Sequence, residues 1–99
     1  MRKIPLRAVP AQAFSVVLGG QNCQVSVYQK STGVYLDLQV NHEPVAMAVL
    51  CHDRVWLIRE AYSGFVGDLS FVDTQGRDDP VYTGFEGRFQ LMYREGTDL

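Results

Sequence analysis

The segment Asp73-Thr74-Gln75-Gly76 holds the residues that come nearest to a catalytic pattern in this chain of 99 residues. Acid proteolysis by paired aspartates needs two carboxylates sharing a proton across a two-fold axis, each held by a glycine directly after the threonine. Here Gln75 stands between Thr74 and Gly76, and the segment comes late in the chain. The reading that follows is a turn, with Asp73 as its turn-former.

Other reactive groups fail on spacing. Asp73, Asp78 and Asp79 put three carboxylates close together, but a calcium loop needs acidic or amide ligands at alternate positions and a closing glutamate. Cys23, His42, Cys51 and His52 carry zinc-compatible atoms, yet no Cys-x-x-Cys or His-x3-His pair preorganises them. Cys51 and His52 are neighbours, and on a strand neighbours point to opposite faces, so a thiol nucleophile with a histidine base is not expected either. Glu60 and Asp68 are isolated carboxylates beside turns. The glycines form neither a phosphate loop nor a dinucleotide fingerprint. The expectation is a protein without catalytic residues, metal or cofactor.

Binding is the remaining chemistry. Tyr28, Tyr35, Trp56, Tyr62, Tyr82 and Phe85 are more aromatic surface than so small a core needs, and amphipathic rings are enriched at protein interfaces. Trp56 reads as core. Tyr35, Tyr62, Phe65, Tyr82 and Phe85 are the candidate partner contacts. A formal charge of -2 and scattered Lys and Arg argue against nucleic acid, which needs a basic stripe. The basic cluster Arg2, Lys3 and Arg7 reads as a solvated end. Pro5, Arg7 and Pro10 interrupt any apolar leader helix, and no run reaches the roughly 18 apolar residues of a membrane helix, so no membrane is expected. Cys23 and Cys51 fall in apolar patterns and read as reduced, packed thiols, although a disulfide between their strands is conceivable.

The elements that would position these residues are strands. Period two dominates, the mark of strands with one buried face. In Val34-Tyr35-Leu36-Asp37-Leu38-Gln39-Val40 the valines and leucines face one way and the polar residues the other. Cys23 to Val27 alternates likewise, and Phe14 to Leu18 precedes it across the Gly19-Gly20-Gln21-Asn22 turn, giving a three-strand meander over about 13–40. The continuous apolar run Val45 to Leu50 fits a strand covered on both faces better than a short buried helix, and His52-Asp53 would turn it into a hairpin with Val55-Trp56-Leu57-Ile58. Phe89 to Tyr93 closes the chain as a strand. Ordinary apolar and charged fractions of 46% and 20% permit one core. The expectation is a single all-β domain over 1–99, mostly antiparallel, with about seven strands in a β-sandwich or β-barrel. Residues 1–12 would be an arm or edge strand, and 94–99 a flexible tail.

Four stretches together resemble a known family. They are Ile4-Pro5-Leu6 with Pro10 and Phe14; Tyr35-Leu36-Asp37-Leu38 with Val40-Asn41; Gly64-Phe65-Val66-Gly67-Asp68-Leu69; and Phe71-Val72-Asp73-Thr74-Gln75-Gly76 with Asp79-Pro80, Tyr82 and Arg88-Phe89. They are similar to the small baseplate plug proteins of contractile-tailed phages, first described in a cyanophage with a simplified baseplate. The resemblance implies a β fold, no enzymatic activity, and incorporation into the virion in several symmetric copies, assembled in the host bacterial cytoplasm. Its implied role is a plug or latch fastening tube or hub to wedge or sheath components. Gly64, Gly67, Asp68, Asp73, Gly76 and Pro80 are then structural turn positions. The alternative from another class is a stand-alone carbohydrate- or peptide-binding β module with an aromatic platform.

Overall fold

The computed structural model describes residues 2–58 and 67–94, and the alternating segments of the sequence become its strands. These are β1 (Arg2–Ile4), β2 (Ala11–Leu18), β3 (Gln21–Lys30), β4 (Gly33–Val40), β5 (Glu43–Leu50), β6 (Asp68–Asp73) and β7 (Phe89–Arg94). They form two antiparallel sheets, one ordered β2-β3-β4-β5 and the other β1-β7-β6. The all-β expectation holds, and of its two forms the separate sheets make a sandwich.

The larger sheet is a meander because each connection is a two-residue turn. Gly19-Gly20 and Asn41-His42 all have positive φ, the geometry whose twist matches that of the flanking strands. With register fixed by these turns, every second residue of β3 and β4 points inward. Cys23, Val25, Val27, Val34, Leu36, Leu38 and Val40 are all buried. Opposite them the smaller sheet contributes Ile4, Leu69, Phe71, Phe89, Leu91 and Tyr93. One hydrophobic cluster joins the two inner faces. It includes both thiols, which are free and buried, so no disulfide links the strands.

Two expectations in the second half of the chain need correcting. Val55 to Ile58 forms no strand and no hairpin with β5. The segment instead runs along the outer edge of β6, where Asp53 bridges Phe71 in parallel, Arg54 N–H donates to the Phe71 carbonyl at 2.7 Å and Leu57 N–H to that of Leu69 at 2.9 Å. β6 thereby becomes buried on both faces, a pattern that local alternation in 55–58 does not reveal. β5, for its part, is covered on one face only. It is an edge strand whose register to β4 breaks twice, with Ala48 at φ 53° and Met47 left 52% exposed. Ala46 and Val49 turn inward against the core, so the apolar run serves two directions through a bulge.

The segment 1–12 holds β1, at the edge of the smaller sheet, and the start of β2. Arg94, placed by the sequence at the head of a tail, is the last residue of β7; residues 95–99 lie outside the described residues.

Candidate functional site

The long connection between β6 and β7 gathers the polar residues on which any chemistry would depend. Asp73 ends β6 with its side chain fully buried. Arg88, just before β7, donates from Nε to Asp73 Oδ1 at 2.9 Å and from Nη2 to Oδ2 at 2.8 Å, a bidentate pair. The amides of Gln75 and Asp78 donate to the same two oxygens, each at 2.9 Å. A carboxylate offers about four lone-pair sites, and these donors occupy them. The Arg88 hydrogen bonds, with help from the two amides, hold the Asp73 carboxyl well below the usual carboxylate range, and the same contacts push Arg88 up.

Asp73 is therefore an anchor held in its ionised form, its lone pairs engaged by these four donors. It shapes the turn through the Gln75 amide two residues on, and it also ties that turn to Arg88. Within the chain the group that faces the Asp73 carboxylate is the Arg88 guanidinium.

A neighbouring set of contacts pins the same loop from the other side. Asp53 Oδ1 accepts the Asp73 amide at 2.7 Å, and its Oδ2 pairs with Arg54. Arg54 in turn donates to the carbonyls of Gly76 at 3.1 Å and Asp73 at 3.2 Å. Asp79 accepts the Asp53 amide at 3.0 Å and meets His52 Nδ1 at 3.1 Å. These contacts, the Asp53 amide first and His52 next, keep its carboxyl below the usual range. Asp78 turns to Arg88 at 2.7 Å. The three loop carboxylates thus face arginine, histidine and amide donors, and a cation would have to displace them. Among the described residues no His, Cys, Asp and Glu cluster fits a metal.

Asp68 is the second buried carboxylate and does a different task. Its Oδ1 accepts the amides of Leu57 at 3.1 Å, Ile58 at 2.8 Å and Leu69 at 2.7 Å. It brackets the 55–58 segment against β6. Gly67 beside it has φ +108°, and a Cβ there would fall on the Arg94 carbonyl oxygen and within 2.8 Å of Tyr93 Cε1. Only glycine fits. Pro80 is buried at the exit of the acidic loop, and Gly76 lies in the loop with its carbonyl on Arg54.

The aromatic candidates separate. Phe85 is 2% exposed and stacks on Phe71 with ring centroids 5.6 Å apart, so within this chain it packs into the core. Its place after the 3-10 turn Tyr82–Gly84 folds the loop back over the end of the sandwich, where Tyr82 packs half-buried against the same core. Tyr35 stays half-exposed on the outer face of the larger sheet, stacked on Tyr28 at 5.9 Å. Lys30 Nζ sits over both rings, and the hydroxyls bond Thr32 and Asp37. Burial, then Asp37, pushes the Tyr28 phenol up. Tyr62, Phe65 and Gly64, with Glu60, lie outside the described residues. Trp56 is half-buried, with the Arg94 guanidinium 3.9 Å from its ring centre.

Burial acts on both thiols. Cys51 is pushed up to about 12 by burial, and burial raises Cys23 too. His42, at a turn tip, is exposed and lines the same surface pocket as Cys23, while His52 is exposed and bonded to Asp79. Sequence reasoning missed Asp53, Arg54 and Arg88 as the partners of the acidic loop, because no local period links residues 15 to 20 positions apart.

Comparison with known proteins agrees with the resemblance in the glycine- and aspartate-rich stretches. A family model described as cyanophage baseplate Pam3 plug gp18 matches residues 1–96. A search of curated proteins returned no match.

Proposed function

The chain belongs to the family of the cyanophage baseplate plug, and from that premise we propose that it fastens the tail tube or hub to the surrounding wedge or sheath components. Membership makes it a structural component of a phage baseplate, and so of the virion tail. The finer role is our reading: several symmetric copies, assembled in the host cytoplasm, act as plugs or latches that hold neighbouring proteins in register before contraction. The family match over residues 1–96 is the observation that carries this. The polar network supports it. Asp73, Arg88, Asp53, Arg54 and Asp68 spend their charges on one another and on backbone groups, which stiffens a scaffold.

A carbohydrate- or peptide-stacking platform finds less support, since Lys30 already lies over the Tyr28 and Tyr35 rings and Asp37 and Thr32 take their hydroxyls. A cryo-electron microscopy reconstruction of the intact tail tests the proposal. Density for this fold, repeated about the tail axis between tube or hub and the outer baseplate, is expected. Particles that lack the chain would refute it.

A further inference from the structure

The sheet edges are not guarded alike. β1 is three residues long and bears Arg2 and Lys3. β5 is bulged. The outer edge of β6 is occupied by residues 53–57. β2 has none of these protections: its eight residues, Ala11–Leu18, include no charge and no proline, and they pair with β3 without a break. A long, regular, uncharged edge is what natural sheets normally avoid leaving bare, because it templates another strand.

Register tells which groups it presents. Gln29 N–H donates to the Pro10 carbonyl at 2.8 Å, and the Leu18–Gln21 pair closes the Gly19-Gly20 turn. Antiparallel alternation then directs the backbone of Gln12, Phe14 and Val16 to β3 and that of Ala11, Ala13, Ser15 and Val17 outward. The Val17 carbonyl is taken by Arg2 Nη1 at 3.1 Å. Among the described residues no strand pairs with the rest of this edge.

Charge selects the occupant. Arg2 lies at the Val17 end, and Arg7 at the other, its backbone held by the Gln12 side chain at 3.1 and 2.8 Å; Glu86, also at that end, has its Oε2 engaged by the Ala8 amide at 2.9 Å. A second copy laid antiparallel would set Arg7 of one chain against Arg2 of the other, and a parallel one would set Arg2 against Arg2. Like charges there disfavour self-pairing.

We propose that β2 is a docking edge for an extended segment of a different protein, uncharged along its centre and acidic at its ends, which adds as a further strand to the larger sheet. This supplies the attachment point for the fastening role and rests on that reading for the partner's whereabouts.

Hydrogen exchange on the purified chain tests the edge itself, with a synthetic peptide of alternating threonine and valine capped at both ends by aspartates. The amides of Ala11, Ala13 and Ser15 should exchange fast alone and slow by about tenfold or more with this peptide. A lysine-capped peptide should leave them fast. Ala13→Pro removes an outward N–H while sparing the β2–β3 ladder, so it should keep the fold and lose the response. In tails assembled with Ala13→Pro, incorporation should fall by about tenfold. Slow exchange in the dilute chain alone, equal response to both peptides, or a concentration-dependent dimer through β2 would overturn the proposal. Ala13→Pro entering particles as well as the natural chain would also overturn it, leaving the baseplate reading intact. Absence of the natural chain from particles would instead refute the baseplate reading, and the peptide result would decide the edge alone.

Discussion

Removing the Asp68 carboxylate should cost more than any surface charge in this protein, and the hydrogen-bond geometry sets the amount. Asp68 is 4% exposed, and its Oδ1 serves the amides of Leu57, Ile58 and Leu69. In Asp68→Ala the Leu57 amide keeps a second acceptor, the Leu69 carbonyl at 2.9 Å. The Ile58 and Leu69 amides lose theirs. A stranded buried donor costs about 1–3 kcal/mol, so two give a loss of about 2–6 kcal/mol. Against a total of about 5–15 kcal/mol the domain would remain folded but weakened. Asp68→Asn keeps an oxygen in place for these three amides and loses their charge assistance, which costs about 1 kcal/mol. Urea unfolding followed by fluorescence reports both, because Trp56, the single tryptophan, lines the same cleft as Asp68. The midpoint should fall for Ala with the slope unchanged. Hydrogen exchange at Ile58 should accelerate in step. Equal losses for Ala and Asn, or an Ala loss below about 1 kcal/mol, would show that the oxygen does not bracket the 55–58 segment.

Three further outcomes follow from the same contacts. Gly67→Ala must accommodate a Cβ on the Arg94 carbonyl at φ +108°, so it should lose about 3 kcal/mol or more, whereas Gly20→Ala, in open space at φ +76°, should lose about 1 kcal/mol; thermal midpoints compare them. Phe85→Ala opens the core beneath the loop and should cost about 3–5 kcal/mol, and a loss under about 1 kcal/mol would return Phe85 to the surface. The lowered Asp73 and Asp79 carboxyls make the unfolded chain bind more protons in acid. Their stabilisation is therefore full above the unfolded carboxylate range, near 4, and is lost as pH falls toward the lower folded values. Arg88→Met should flatten this acid-side loss in midpoint-versus-pH scans, and an unchanged profile would count against the Asp73–Arg88 pair.

Strand alternation was legible because the pleat is local: apolar residues at every second position declare a one-sided strand wherever it sits. That is why β4 and β7 stand in the sequence with nearly their final bounds and β2 and β3 with their central residues, β2 starting earlier and β3 extending further at both ends, and why the glycine and asparagine turns announce the meander. The same period misleads at Val55 to Ile58, whose residues are buried by running along β6 and not by pairing in a hairpin. It misleads again at β5, where a bulge exposes half of an apolar run. Phe85 looks like a spare aromatic until the loop closes over the core.

Composition and alternation determined the all-β class, and the resemblance carried by the glycine- and aspartate-rich stretches pointed to the family that the family model then matched. Only the tertiary structure decided what the acidic loop is for. The state of Asp73 depends on Arg88, and the place of that loop on Asp53 and Arg54, partners 15 to 20 positions away. A carboxylate's chemistry is set by the charges and donors around it, and those are brought together by sheet topology, which no local period encodes.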